Sequence, residues 1–72
     1  MVDTGFLKGR RVMAGKSQMA MAVALGVSLQ TYMNKENGKF EFKDSEKIKV
    51  SNILSFSLSD FNRAFYSGKL PK

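Results

Sequence analysis

The sequence predicts an all-α fold, a compact bundle of about five helices in one domain spanning residues 1–72. Three observations lead to this prediction. Asp and Ser residues stand at helix-capping positions, Gly residues follow the helical stretches, and a chain of 72 residues can bury only one core. Hydrophobic residues make up 43% of the chain, which is enough to form that core.

The first helix is predicted over residues 5–14. Asp3 and Thr4 can cap its N-terminus, and Gly15 ends it.

The second and third helices are predicted to meet across a very tight turn. Ser17 caps the second helix, which runs through good helix formers and stops at Gly26. Ser28 caps the third helix over residues 29–36, and the turn sequence Asn37-Gly38 ends it. A short helix pair of this kind is the geometry of a helix-turn-helix, with its core at residues 17–38.

The chain after this pair is harder to assign. Phe40 and Phe42 alternate with charged residues, which predicts an extended connector with both rings on the core side. Residues 44–54 fit a fourth helix imperfectly, and the alternation of apolar residues and serines across residues 54–58 would equally suit a strand.

The fifth helix begins with a sequence that resembles a capping box. Ser57 is followed three residues later by Asp60, which stands where Glu is usual. The helix is predicted to run to Ser67, with Gly68 and Pro71 closing it.

Composition excludes several classes of function. The chain has no Cys and no His, so disulfides, Cys or His metal sites and catalysis by either residue are excluded. No carboxylate pair stands beside a plausible base and no glycine-rich phosphate loop is present, so we expect neither an enzyme nor a cofactor. Without a membrane-length apolar run or a signal sequence, we expect a cytoplasmic protein that does not contact membranes.

The charge of the chain is compatible with an anionic partner. The formal net charge is +6 and the pI is about 9.9, but such an excess equally keeps a domain dispersed. Only Arg10 and Arg11 are adjacent, so any basic surface must be assembled by folding.

The segment from Ser17 to Lys39 resembles the Cro and CI repressor family of helix-turn-helix proteins. Without a gap, family positions are matched by Ser17-Gln18, Ala22, Leu25-Gly26-Val27-Ser28, Gln30-Thr31 and Glu36-Asn37-Gly38-Lys39. The resemblance implies a lambda-repressor-like fold. The segments 7–11 and 68–72 also resemble the small Cro-like or modulator-of-repression (antirepressor) proteins of temperate phages of lactic bacteria.

The resemblance implies roles for particular side chains. It implies a structural ion pair between Arg11 and Glu36. It also implies DNA contacts, with phosphate for Gln18, Asn37 and Lys39 and with base edges for Gln30, Thr31 and, more weakly, Asn34. The alternatives are that Gln18 only supports the cap, that Gln30 is merely solvated and that Asn37 serves the turn.

Two helices depart from the family pattern by being unusually apolar. The residues concerned are candidates for binding a protein partner, namely Met19, Val23, Leu29, Tyr32 and Met33. Leucine cannot hydrogen-bond a base edge, and surface methionine adapts to irregular protein partners. The alternative is that these side chains pack against the C-terminal segment.

The resemblance therefore implies a phage transcriptional regulator of the lysis/lysogeny switch, acting in the host bacterial cytosol. One hypothesis is a modulator that binds a CI-type repressor through its helix-turn-helix face, as a hetero-complex, and alters the repressor's operator binding. The alternative is a Cro-like repressor that binds operator DNA directly as a homodimer.

Overall fold

The computed structural model describes residues 2–66 and shows a bundle of five α-helices, with no strand among those residues. In chain order the helices are α1 Thr4–Met13, α2 Gln18–Leu25, α3 Leu29–Glu36, α4 Asp44–Ile53 and α5 Leu58–Tyr66. The predicted all-α fold is confirmed. The predicted end of the last helix at Ser67, its closure by Gly68 and Pro71, and the resemblance at residues 68–72 lie outside the described residues.

The first three helices begin at predicted capping residues. Each cap side chain accepts a hydrogen bond from the backbone N–H three residues later, at 3.0–3.1 Å, and the caps are Asp3, Ser17 and Ser28. Each bond satisfies an N–H group that has no partner inside the helix. Gly26 ends α2 at φ 71°, a left-handed conformation that glycine adopts without steric cost.

The connector between α3 and α4 differs from the prediction at Phe40. The backbone N–H groups of Lys39 and Phe40 both donate to the carbonyl oxygen of Asn34, so the chain curls around the end of α3 instead of extending. Phe40 is consequently 52% exposed, whereas Phe42 is buried as predicted. The expectation that both rings lie on the core side is therefore wrong for Phe40.

The segment after the connector is helical, and the strand alternative for residues 54–58 is wrong. Leu54 caps the C-terminus of α4, and the Phe56 N–H donates to the carbonyl oxygen of Ser51 at 2.8 Å. Ser55 adopts φ 55°, which turns the chain before α5. The apolar pattern of residues 54–58 was ambiguous because a turn separates α4 from α5 there. Each of these helices contributes only a few buried residues, so neither shows a clear helical period.

The predicted capping box at the start of α5 is confirmed. The Asp60 N–H donates to Ser57 Oγ at 3.1 Å, and the Ser57 N–H donates to Asp60 Oδ2 at 3.0 Å. Arg10 of α1 also contacts Asp60, with Nη1 3.1 Å from Oδ2. The backbone N–H of Ser57 and, after it, the side chain of Arg10 donate to the Asp60 carboxylate and hold its pKa below the ordinary value.

One core joins all five helices and the connector. Its buried hydrophobic residues are Leu7, Met21, Ala22, Leu25, Tyr32, Phe42, Val50, Leu54, Ala64 and Phe65. The ring of Phe42 packs edge-on against those of Tyr32 and Phe65, with centroids 6.2 and 5.4 Å away. The connector therefore contributes to the core and fixes α3 relative to α5.

Candidate interaction surface

Helices α2 and α3 pack against each other and are joined by the three residues Gly26, Val27 and Ser28. The Val27 N–H donates to the carbonyl oxygen of Ala22 at 3.0 Å, which closes α2 directly before Ser28 caps α3. This arrangement is compatible with a helix-turn-helix. It leaves one side of each helix facing away from the core.

Helix α2 has two faces of similar composition. The inner face is formed by Met21, Ala22 and Leu25, which are buried. The outer face is formed by four exposed residues, Met19, Ala20, Val23 and Ala24. Met19 is 52% exposed and Val23 is 72% exposed. Within the described residues, then, Met19 and Val23 each remain more than half exposed, and an apolar helix face is open to solvent.

On α3, the structure separates the three apolar residues that were assigned to partner binding. Leu29 and Met33 are half-buried, so part of each side chain borders the surface. Tyr32 is fully buried, and the prediction that it binds a partner is wrong. Its ring belongs to the core, and its hydroxyl donates to Glu36 Oε2 at 2.7 Å. Burial, followed by this hydrogen bond, raises the pKa of the Tyr32 hydroxyl.

The three residues of α3 that were predicted to face DNA bases hydrogen-bond within their own helix and cap. Gln30 Nε2 donates to Asn34 Oδ1 at 3.1 Å, and Ser28 Oγ donates to Thr31 Oγ1 at 2.9 Å. The bond to Asn34 uses one of the two N–H donors of Gln30, and the second N–H and Oε1 are the groups that a bidentate contact with adenine would use. The structure brings these residues together on α3 but does not leave all their polar groups free.

Gln18, Asn37 and Lys39, which were predicted to contact phosphate, lie at the same end of the α2–α3 pair. Gln18 Nε2 donates to Glu36 Oε1 at 3.1 Å, which joins the start of α2 to the end of α3. Asn37 is the C-cap of α3, and Lys8 Nζ donates to its Oδ1 at 3.4 Å. Lys39 is exposed in the curl that follows.

Glu36 is the centre of a buried polar cluster. Its carboxylate is fully buried and accepts four hydrogen bonds from three side chains, those of Arg11, Gln18 and Tyr32. The ion pair expected between Arg11 and Glu36 is present, with Arg11 Nε 2.8 Å from Glu36 Oε2. Arg11 Nη1 also donates to the carbonyl oxygen of Lys16 at 2.8 Å. The cluster thus ties α1, α2 and α3 together at one point.

A second buried ion pair, between Lys35 and Glu46, was missed by sequence reasoning. Lys35 Nζ donates to Glu46 Oε1, and the Lys43 N–H donates to the same oxygen at 2.8 Å. Burial by itself raises the pKa of Glu46, but the bonds from Lys35 and Lys43 outweigh it, so that this pKa is lowered overall. The one available signal was the position of Glu46 in the first turn of α4, where an acidic side chain can reach back to the preceding N–H.

Acidic side chains are rare in the first half of the chain, whereas basic side chains are present there. From residue 4 to residue 40 the sequence contains a single carboxylate, Glu36, which is buried. Lys8, Lys16 and Lys39 are exposed in this stretch, and none of them forms an ion pair with any of the described residues.

Comparisons with known proteins give no relative: no family model, curated protein or solved structure matches this chain. Within residues 2–66 there is no group of three side chains suited to hold a metal ion, and no helix there is long and apolar enough to cross a bilayer.

Proposed function

We propose that this chain is a phage regulatory module that binds a CI-type repressor and thereby alters the repressor's binding to its operators. The outer face of α2, with the exposed edges of Leu29 and Met33 on α3, is the docking surface. One observation carries the proposal: the outer face is exposed along the whole helix and has no polar side chain.

This surface suits a protein partner better than DNA. Methionine and valine side chains make no hydrogen bond to phosphate or to base edges, whereas burying them against apolar side chains contributes about 25 cal/mol per Å². Gln30 and Thr31, the residues suited to base contact, are already engaged in hydrogen bonds. The apolar groups are therefore fully available for binding, whereas Gln30 and Thr31 each already use part of their hydrogen-bonding capacity.

A Cro-like repressor that binds operator DNA directly, as a dimer, is the second candidate. It is favoured by the convergence of Gln18, Asn37 and Lys39 at one end of the α2–α3 pair, close to the N-terminus of α2. Amide and ammonium groups at a helix N-terminus can bind DNA phosphates.

The primary experiment compares two substitutions of exposed aliphatic residues. Val23→Glu introduces a charge on the outer face of α2, and Leu58→Glu is the matched control because Leu58 is 81% exposed on α5. Binding to the CI-type repressor of the same phage is measured by calorimetry. We expect Val23→Glu to weaken binding by at least roughly a hundredfold, as for a central interface residue, and Leu58→Glu to leave it unchanged. Equal affinities of the two variants would contradict the proposal.

The second candidate is tested with the isolated protein and two duplexes. The protein is titrated against its own promoter region and against a random-sequence duplex at two salt concentrations. Preference for the promoter, with affinity that falls steeply as salt rises, would establish direct operator binding. Equal affinity for both duplexes would rule out sequence-specific repression by this chain alone.

A further inference from the structure

Three exposed lysines form a cationic end on the α2–α3 pair, made of Lys8, Lys16 and Lys39. Lys16 directly precedes the cap of α2, and its carbonyl oxygen accepts from Arg11, which is bonded to Glu36 at the end of α3. Lys8 reaches the C-cap of α3 through its hydrogen bond to Asn37. The backbones of Lys16 and Lys39 and the ammonium group of Lys8 therefore lie where α2 begins and α3 ends.

No carboxylate in this part of the chain neutralises the cationic end. Glu36, the single carboxylate of residues 4–40, is buried and occupied by its own donors. In α4 and α5 the pattern is different, since Asp44 and Asp60 each lie within 4 Å of a cation, at 3.7 and 3.1 Å. Lys43 and Lys49 are likewise exposed without an ion pair to a described residue, so the cationic end is distinguished by its position beside the first turn of α2.

The cationic end lies next to the first turn of α2, where the outer face begins. Met19 and Val23 are four residues apart, one helical turn along α2, and Lys16 stands directly before Ser17, the N-cap of that helix. A partner that covers the first turn of α2 at Met19 therefore borders Lys16, the residue before the cap. Its surface must match an apolar patch with a positive charge at one border.

We infer that the protein surface docking on the outer face of α2 places carboxylates opposite Lys8, Lys16 and Lys39, beside its own apolar patch. The inference rests on the proposed function, because it specifies the chemistry of the partner at the same site. Asp and Glu side chains at the rim of a protein interface supply both the charge and the continuity with an apolar patch. A DNA backbone supplies the charge but presents no comparable apolar surface to Met19 and Val23.

The test compares two double variants that remove the same amount of charge. Lys16→Gln with Lys39→Gln alters the cationic end, whereas Lys43→Gln with Lys49→Gln alters two exposed lysines at and within α4. Affinity for the CI-type repressor is measured at about 0.05 M and 0.5 M salt, because screening weakens exposed charge pairs strongly over this range. A random-sequence duplex serves as a second probe for each protein.

We expect the first double variant to bind the repressor roughly tenfold more weakly at low salt and to lose most of the salt dependence, with the α4 variant close to wild type. Equal effects of the two variants, or no effect of either, would overturn the inference. It is also overturned if the first variant loses affinity for the duplex and not for the repressor, since the lysines then serve phosphate.

Failure of the proposed function is recognised separately. If the wild-type protein does not bind the repressor, or if Val23→Glu binds normally, the proposed function fails and the inference fails with it. If Val23→Glu loses binding while the variant of Lys16 and Lys39 retains it, only the inference is overturned.

Discussion

The two faces of α2 are made of nearly the same residue types and lie in opposite environments. Met21, Ala22 and Leu25 on the inner face are withdrawn from water, whereas Met19 and Val23 on the outer face remain largely accessible. Apolar side chains contribute to folding only when folding removes them from water. The inner face therefore stabilises the fold, and the outer face gains free energy only when another molecule covers it.

The largest expected effect on stability comes from the buried cluster around Glu36, to which Gln18 donates from the start of α2. Arg11→Ala removes the ion-pair partner of that carboxylate and leaves a buried charge without compensation. We expect the free energy of unfolding to fall by about 3–5 kcal/mol, measured by urea denaturation. Lys16→Ala is the control, since Lys16 is exposed and its side chain pairs with no described carboxylate. A wild-type midpoint in Arg11→Ala would show that the cluster does not stabilise the fold.

The two faces are compared directly by making one substitution on each. Met21→Ala creates a cavity in the core, and we expect it to lower the free energy of unfolding by about 2–5 kcal/mol. Met19→Ala removes the same atoms from the solvent-facing side, and we expect a change within about 0.5 kcal/mol. Both are measured by thermal and urea unfolding at low protein concentration. Equal losses would mean that the outer face is packed in the free protein as well.

A smaller effect on the free energy of unfolding is expected at alkaline pH, and it comes from the buried Tyr32. Because the pKa of Tyr32 is raised in the folded protein above the unfolded value of 10.0, stability from this group is fully present below pH 10 and is lost as pH rises further. Above pH 10 the free energy of unfolding contributed by Tyr32 falls by an amount that approaches about 1.4 kcal/mol per pH unit. Tyr32→Phe should remove this component from the unfolding free energy measured between pH 9 and 11. An identical pH profile in the two proteins would contradict the assignment.

The sequence predicted the helices better than their surroundings. The limits of α2 follow from Ser17 and Gly26, because capping and left-handed termination depend on residues close in the chain. The exposure of Met19 and Val23 depends on which elements pack around α2, and composition carries no information on that. Tyr32 was misplaced for the same reason, since an apolar helix does not indicate which side is covered.

The polar contacts show the same division between local and distant information. The bonds between Ser57 and Asp60 join residues three apart, and the spacing predicted them. The ion pair between Lys35 and Glu46 joins two helices across a connector, so no helical spacing indicates it. The pair between Arg11 and Glu36 is equally distant and was expected only through the resemblance to repressors.

The position of Glu36 also affects how the domain opens. Its carboxylate holds donors from the end of α1, the start of α2 and the body of α3, so withdrawal of any one of these helices breaks a bond at the common centre. Withdrawal of α1 alone would leave the Glu36 carboxylate between α2 and α3 without its ion-pair partner Arg11. We therefore expect partial opening to be penalised and the first three helices to unfold as one cooperative unit. On this expectation the outer face of α2 moves together with α1 and α3 and not as a separate helix.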